Sequence, residues 1–335
     1  MKRILLISLA AGGLAWAADP YAAQWRAVAD KLITTPPESY PFNWGEGEQQ
    51  IGLMKIYERT RDARYLDYME KWTRLYIGKD ISWLLNFSGQ DQKTRPGYCG
   101  HWSPGTAILY LYQAKTKPEY LALARKVNAF ILDGAERSPD GGLGHWKGIH
   151  QYWVDTLYMA YPLLTGLGKL DRKPAYIDDA AKQLTVFAKV LQDTRTGLFT
   201  HMYDWDESPH TPSLWARGNG WVLMSIADTM EHMGRKHTIL DAPASDEESS
   251  ATAMFTYGLL KLVRLKVLPA AANVEMARKA WKGVSERYVR DGVVTGVSAG
   301  AGPGKGDNYK AIKLGSETWG TGAYLMAGSE MDCLK

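Results

Sequence analysis

Tyr57-Glu58-Arg59-Thr60-Arg61-Asp62-Ala63-Arg64-Tyr65-Leu66-Asp67-Tyr68-Met69 reads as the end of one helix, a short polar turn and the start of a second helix. The pattern then repeats. Tyr112-Gln113-Ala114-Lys115-Thr116 is followed by Glu119-Tyr120-Leu121-Ala122, and Lys173-Pro174-Ala175-Tyr176-Ile177-Asp178 carries the second half again. The tyrosine that marks each second helix recurs at 65, 120 and 176, in steps of 55 and 56. Helical periodicity dominates the chain and strand-like alternation is scarce. A period near fifty residues built from helix pairs means an array or a closed toroid, because one hairpin cannot bury its apolar face alone.

Helices with buried character are expected to begin near Glu46, Ser103, Asp155, Arg217, Thr252 and Glu317, each followed by a more polar partner. Six such starts predict an all-α (α/α)6 barrel, a six-hairpin toroid whose inner helices line a central funnel. The fourth and fifth starts lie only 35 residues apart, against 57, 52, 62 and 65 elsewhere. The fourth outer helix is therefore expected to be short or missing.

The segments that lead into the inner helices share one character. They read PFNWGEGE (41–48), YCGHWSPG (98–105), GGLGHWKGIHQYW (141–153), LFTHMYDWDESPHTPSLWARGNGW (198–221) and GSETWGTG (315–322). Five loops rich in Gly and aromatic residues at corresponding positions point to one shared pocket. Within them Asp155 follows Trp153 and Val154 and precedes Leu157, Tyr158 and Met159. Lost hydration there is expected to raise its pKa toward the range of a general acid. Asp is also a favoured N-cap, so a capping role stands beside the catalytic one.

The N-terminus, MKRILLISLAAGGLAWAADP, has a positive start, an apolar run from Ile4 to Leu14 and an Ala15-Trp16-Ala17 cleavage pattern. It is expected to be a signal peptide over 1–18, with residues 19–335 forming one catalytic domain in an exported, periplasmic or secreted compartment. The net charge of +4, or +2 without Lys2 and Arg3, gives no case for a nucleic-acid partner, and no segment reads as a membrane span. Two cysteines, Cys99 and Cys333, allow at most one disulfide. The seven histidines show no metal-ligand spacing, so neither metal nor other cofactor is inferred. Thirteen Trp and nineteen Tyr against six Phe suit a site that stacks on a sugar face and hydrogen-bonds as well, although most such rings serve as core.

Six segments carry a family resemblance. They are Asn43-Trp44-Gly45-Glu46-Gly47, Ser103-Pro104-Gly105, Trp153-Val154-Asp155-Thr156-Leu157, Trp215-Ala216-Arg217-Gly218-Asn219-Gly220-Trp221, Ser250 to Phe255, and Trp319 to Leu325. With them the chain resembles the unsaturated uronyl hydrolases of glycoside hydrolase families 88 and 105, most of all the unsaturated rhamnogalacturonyl hydrolases. The resemblance implies an (α/α)6 barrel acting on oligosaccharides that end in a 4,5-unsaturated uronic acid, as polysaccharide lyases leave them. It implies hydration of the C4=C5 vinyl ether by one Asp, an exception to the two-carboxylate rule of ordinary glycosidases.

Asp155 matches the catalytic position of that family, and Arg217 suits the uronate carboxylate. Trp44, Trp153, Trp215 and Trp221 are candidates for sugar stacking, and His145 and His201 fall in loops that match ligand-contacting ones. For Arg217 the structural alternative is a surface ion pair, and for each His and Trp a place in the core. Family members usually carry a second Asp ahead of the Ser103-Pro104-Gly105 loop. Here Tyr98-Cys99-Gly100-His101-Trp102 holds no acid, leaving His101 or Asp91 to stand in, or a different substrate. A carbohydrate-binding protein of this fold with little or no turnover is the alternative reading. A glycosidase for saturated sugars, or a lyase, ranks behind it.

Overall fold

The computed structural model describes residues 19–86, 95–207, 211, 213–233, 248–300, 302 and 312–334. The expected leader at 1–18, Asp91 and the expected short outer element after the fourth inner helix (234–247) lie outside the described residues. Twelve helices are described: α1 (Ala22–Leu32), α2 (Trp44–Thr60), α3 (Ala63–Arg74), α4 (Ser82–Asn86), α5 (Ser103–Lys115), α6 (Pro118–Ala129), α7 (Asp155–Leu170), α8 (Pro174–Leu191), α9 (Ala216–Met233), α10 (Ser249–Arg264), α11 (Ala270–Tyr288) and α12 (Thr318–Asp332). The inner helices α2, α5, α7, α9, α10 and α12 each pack on the next, and α12 packs back on α2. That closed ring is the (α/α)6 barrel, and its six inner helices start within three residues of the expected positions.

The repeated tyrosine has a structural job. Tyr65, Tyr120 and Tyr176 are each the third residue of an outer helix, α3, α6 and α8. Two of them tie their helix to the outer helix before it: Tyr65 Oη donates to Asp30 of α1 at 2.9 Å, and Tyr120 Oη to Glu70 of α3 at 2.6 Å. The turns from inner to outer helix share a left-handed residue, Arg61 after α2, Thr116 after α5, Arg172 after α7 and Lys266 after α10. One such residue reverses the chain in few steps. The last hairpin is made across the chain ends, with α1 packed outside α12.

Ring closure between α12 and α2 needs glycine. A Cβ on Gly322 would lie 2.4 Å from the Glu48 carbonyl oxygen, and one on Gly52 would lie 2.7 Å from that of Gly322. Both obstacles are backbone and cannot swing aside. Gly322→Val should therefore cost at least about 2 kcal/mol by overpacking, read as a fall in thermal midpoint. An unchanged midpoint would contradict the assigned contact.

Candidate active site

Four of the five loops line a cavity of about 260 Å³ at the N-terminal ends of inner helices, while the fifth, 315–322, adds no residue to its described wall and reaches it only through Trp319, stacked on Trp44 at 4.1 Å. The described wall of the cavity is Trp44, Arg95, Tyr98, Cys99, His145, Trp153, Asp155, Met159, Trp215, Arg217, Gly300 and Gly302. Asp155 is the one acid among them.

Asp155 is placed by its helix and by a strand pair reaching across some fifty residues. β1 (Gln151–Trp153) runs antiparallel to β2 (Met202–Asp204), with Trp153 opposite Met202. Just beyond the ladder, Val154 N donates to His201 O at 3.1 Å. This register sets the His201 imidazole beside the first residue of α7, where Nε2 donates to Asp155 Oδ2 at 3.1 Å. Asn219 of α9 holds the same strand from behind: its side chain accepts from Phe199 N at 2.8 Å and donates to Phe199 O at 2.9 Å. The Asn of the W-A-R-G-N-G-W segment is thus a positioning residue. Gly218 beside it lets Val154 and Trp215 pack against the start of α9, where a Cβ would come within 2.8 Å of each.

The expected cap does not form. Asp155 is the first helical residue, Val154 is the N-cap and no side-chain cap bond is made. The expected pKa direction is also reversed. Burial raises the Asp155 pKa, but the hydrogen bond from His201, with Arg217 beyond, outweighs it and holds the carboxyl below its usual range. About a fifth of the Asp155 side chain faces the cavity, while His201 behind it is fully enclosed.

On one side of Asp155 the wall is His145, stacked on Trp153 at 4.2 Å. Its Nδ1 lies 2.8 Å from Thr156 Oγ1 and 3.2 Å from Cys99 Sγ. Burial pushes the imidazole down to about 3, so it is neutral, and burial pushes the Cys99 thiol well up, so it keeps its proton. Cys99 is not in a disulfide: both cysteines are free, and Cys333 lies by the Ser329 carbonyl. On the other side, Arg217 is enclosed, with 1% exposure, and lies over Trp215 at 4.3 Å. Its Nη1 donates to the carbonyl and hydroxyl of Ser298, and Nη2 to Ala299 O at 3.0 Å. Glu248 stands 3.8 Å away, and Nε has no partner among the described residues.

Of the expected contact residues, Trp44, His145, Trp153, Trp215 and Arg217 reach the wall with Asp155, and three do not. Trp221 is buried against Tyr158, with ring centroids 5.5 Å apart. It lies four residues further along α9 than Arg217, about 6 Å deeper. His101 is buried behind Tyr98, ring centroids 5.8 Å apart, and burial pulls its imidazole down to about 4. His201 contacts Asp155 rather than the cavity. Arg95, Tyr98, Cys99, Met159, Gly300 and Gly302 complete the wall without having been singled out as contacts. Tyr98 and Cys99 lie in an aromatic loop already marked as site-forming, whereas Arg95 and the two glycines carry no motif. Among the described residues no group of three or more His, Cys, Asp or Glu could hold a metal, and no helix is long and apolar enough to cross a membrane.

A family model described as Glycosyl Hydrolase Family 88 matches residues 22–239 and 233–335. The chain is 24% identical over 337 residues to unsaturated rhamnogalacturonyl hydrolase YesR of Bacillus subtilis, covering 89% of this chain and 92% of that protein. It is 26% identical over 344 residues to an unsaturated 3S-rhamnoglycuronyl hydrolase of Formosa agariphila, covering 87% and 84%. Among solved structures, a possible member of the GH105 family from Klebsiella pneumoniae superposes with a TM-score of 0.80 at 24% identity, covering 94% of this chain and 93% of the other.

The Asp155–His201 pair ties stability to pH. A carboxyl held below its unfolded value stabilises the fold above that value, and the contribution is lost as pH falls through the folded one. The thermal midpoint of wild type relative to Asp155→Asn should therefore fall as pH drops below about 4. A difference that stays constant with pH would contradict the hydrogen-bonded carboxylate.

Proposed function

The chain belongs to Glycosyl Hydrolase Family 88, and from that premise we propose that it removes a terminal 4,5-unsaturated uronic acid from lyase-generated oligosaccharides. An unsaturated galacturonyl-rhamnose end is the first substrate to try, in keeping with the name of the Bacillus relative. The observation that carries this reading is Asp155, open to a ring-lined cavity and hydrogen-bonded to an enclosed histidine.

The reaction needs a proton at C4, water at C5, and a group that gives the first proton and takes one back from the water. A single carboxyl can do both in turn. Asp155 rests ionised, so the proton must arrive at it in the complex. Substrate supplies the reason, because a uronate carboxylate brought beside Asp155 is a like charge and raises its proton affinity. Asp155 therefore binds a proton as the complex forms. That proton passes from Asp155 to C4 as water adds at C5, and the carboxylate recovers a proton from that water. The C5 hemiketal opens and the next sugar leaves.

Among the described residues Arg217 Nε is a buried donor without a partner, and such groups are rare unless something fills them. We assign it to the uronate carboxylate, while the rest of the guanidinium holds Ser298 and Ala299. Trp153, partly exposed at the wall, offers a ring for the sugar, whereas the buried Trp215 ring already carries Arg217 and His201. The leader-like N-terminus is what supports an exported location in this reading.

Asp155→Asn should lower kcat by about 10²–10⁴-fold, followed as loss of the ultraviolet absorbance of the double bond on lyase-generated oligosaccharides. Circular dichroism at the assay temperature checks that the variant is folded. Folded, undiminished Asp155→Asn would remove the assignment.

A further inference from the structure

The strand pair that sets His201 on Asp155 is closed at its other end by one residue, His150. It directly precedes β1 and has a left-handed backbone, with φ of 53°. Its carbonyl accepts from Trp205 N at 3.0 Å, and its ring stacks on that of Trp205 with centroids 5.5 Å apart. Nδ1 donates to Asp206 Oδ2 at 2.5 Å, and Nε2 stands 3.7 Å from Glu136 Oε1. Asp206 follows β2, whereas Glu136 follows α6 and accepts from Gly148 N at 3.3 Å through its other oxygen. One imidazole thus lies between two separate segments and pins the end of the loop that carries His145.

Only the protonated ring can serve both acids. A neutral imidazole carries one N–H, whereas the imidazolium donates from both nitrogens. Among the described residues the charged groups facing His150 are acids: Asp206, Glu136, and Asp204 of β2, whose Oδ2 also accepts from Gln151 Nε2 at 2.9 Å. Lys147, the cation of the same loop, lies over the Phe130 ring. The hydrogen bond to Asp206, with the charges of the three acids, holds the imidazole above its ordinary pKa. A histidine raised in this way adds stability that is fully present below its unfolded value, about 6.5, and is lost as pH rises through the folded one. The side chain is 42% exposed, which limits the effect to a few-fold.

We propose that His150 is a positioning residue: its cation clasps Glu136 and Asp206, holds β1 in register with β2, and so keeps His201 on Asp155. Loss of the His150 proton loosens the strand pair. The clasp stands on its own contacts, and its effect on turnover rests on the uronyl-hydrolase reading above.

The test is hydrogen–deuterium exchange of the segment 151–154 in wild type, His150→Gln and His150→Arg, compared at equal pH so that intrinsic rates cancel. At about pH 6 the segment should exchange about threefold faster in His150→Gln than in wild type, and at about pH 9 the two should converge. His150→Arg, cationic throughout, should keep the slow rate at both. A ratio that does not change with pH is what a merely structural side chain gives, and it would overturn the proposal. Turnover of an unsaturated galacturonyl-rhamnose disaccharide is read in parallel. The kcat of wild type relative to His150→Arg should fall between the two pH values, with KM little changed. A flat kcat ratio beside a moving exchange ratio would confine His150 to stability and overturn the positioning role. Should none of the three proteins turn the disaccharide over, the function proposed above fails, and the exchange ratio alone upholds the clasp if it moves with pH or overturns it if it does not.

Discussion

A carboxylate set into a wall of aromatic rings survives as an ion only if a donor reaches it, and here the donor is His201. Everything that positions the pair follows from that need. Asp155 is fixed by the first turn of α7, His201 by the pairing of β1 with β2, and the strand carrying His201 by Asn219 of α9. Elements far apart in sequence therefore converge on one hydrogen bond of 3.1 Å. The closed helix ring makes the convergence possible by bringing the N-terminal ends of its inner helices to one mouth. Ring closure in turn depends on two glycines that let α2 and α12 touch backbone to backbone.

The fold was legible because helix hairpins repeat. The tyrosine at the third position of an outer helix recurs with the period of the unit, and the inner starts follow from the Gly- and Trp-rich loops before them. The site was legible in part. Asp155, Trp153, Trp215 and Arg217 lie at or just before helix starts, and the pocket is built from helix starts. Trp221 belongs to the same motif as Trp215, but a helix advances along its axis, so a ring further along it ends in the core. His101 and Cys99 are two residues apart in one short turn, and only the packing decides that the cysteine faces the cavity. The pKa direction of Asp155 was misjudged for a related reason. Neighbours in sequence showed the apolar surface, while the histidine that outweighs it comes from 46 residues away.

The electrostatics of the pocket separate resting from working states. Asp155 is matched by His201, and Arg217 by Glu248 and two backbone carbonyls. His145 and Cys99 stay neutral. The one acid on the described wall is therefore held in its basic form, and in the proposed mechanism an anionic ligand raises its proton affinity. In this account substrate charge is part of the proton transfer as well as of binding.

The most direct test of hydration at C4=C5 is nuclear magnetic resonance of a turnover in deuterated water. The account predicts that each uronyl group released gains one deuteron at C4, delivered to a single face, as its vinyl proton signal disappears in step with release of the second sugar. Release of that sugar with the vinyl signal intact in the first uronate product would contradict it, and would mean displacement at the anomeric carbon instead.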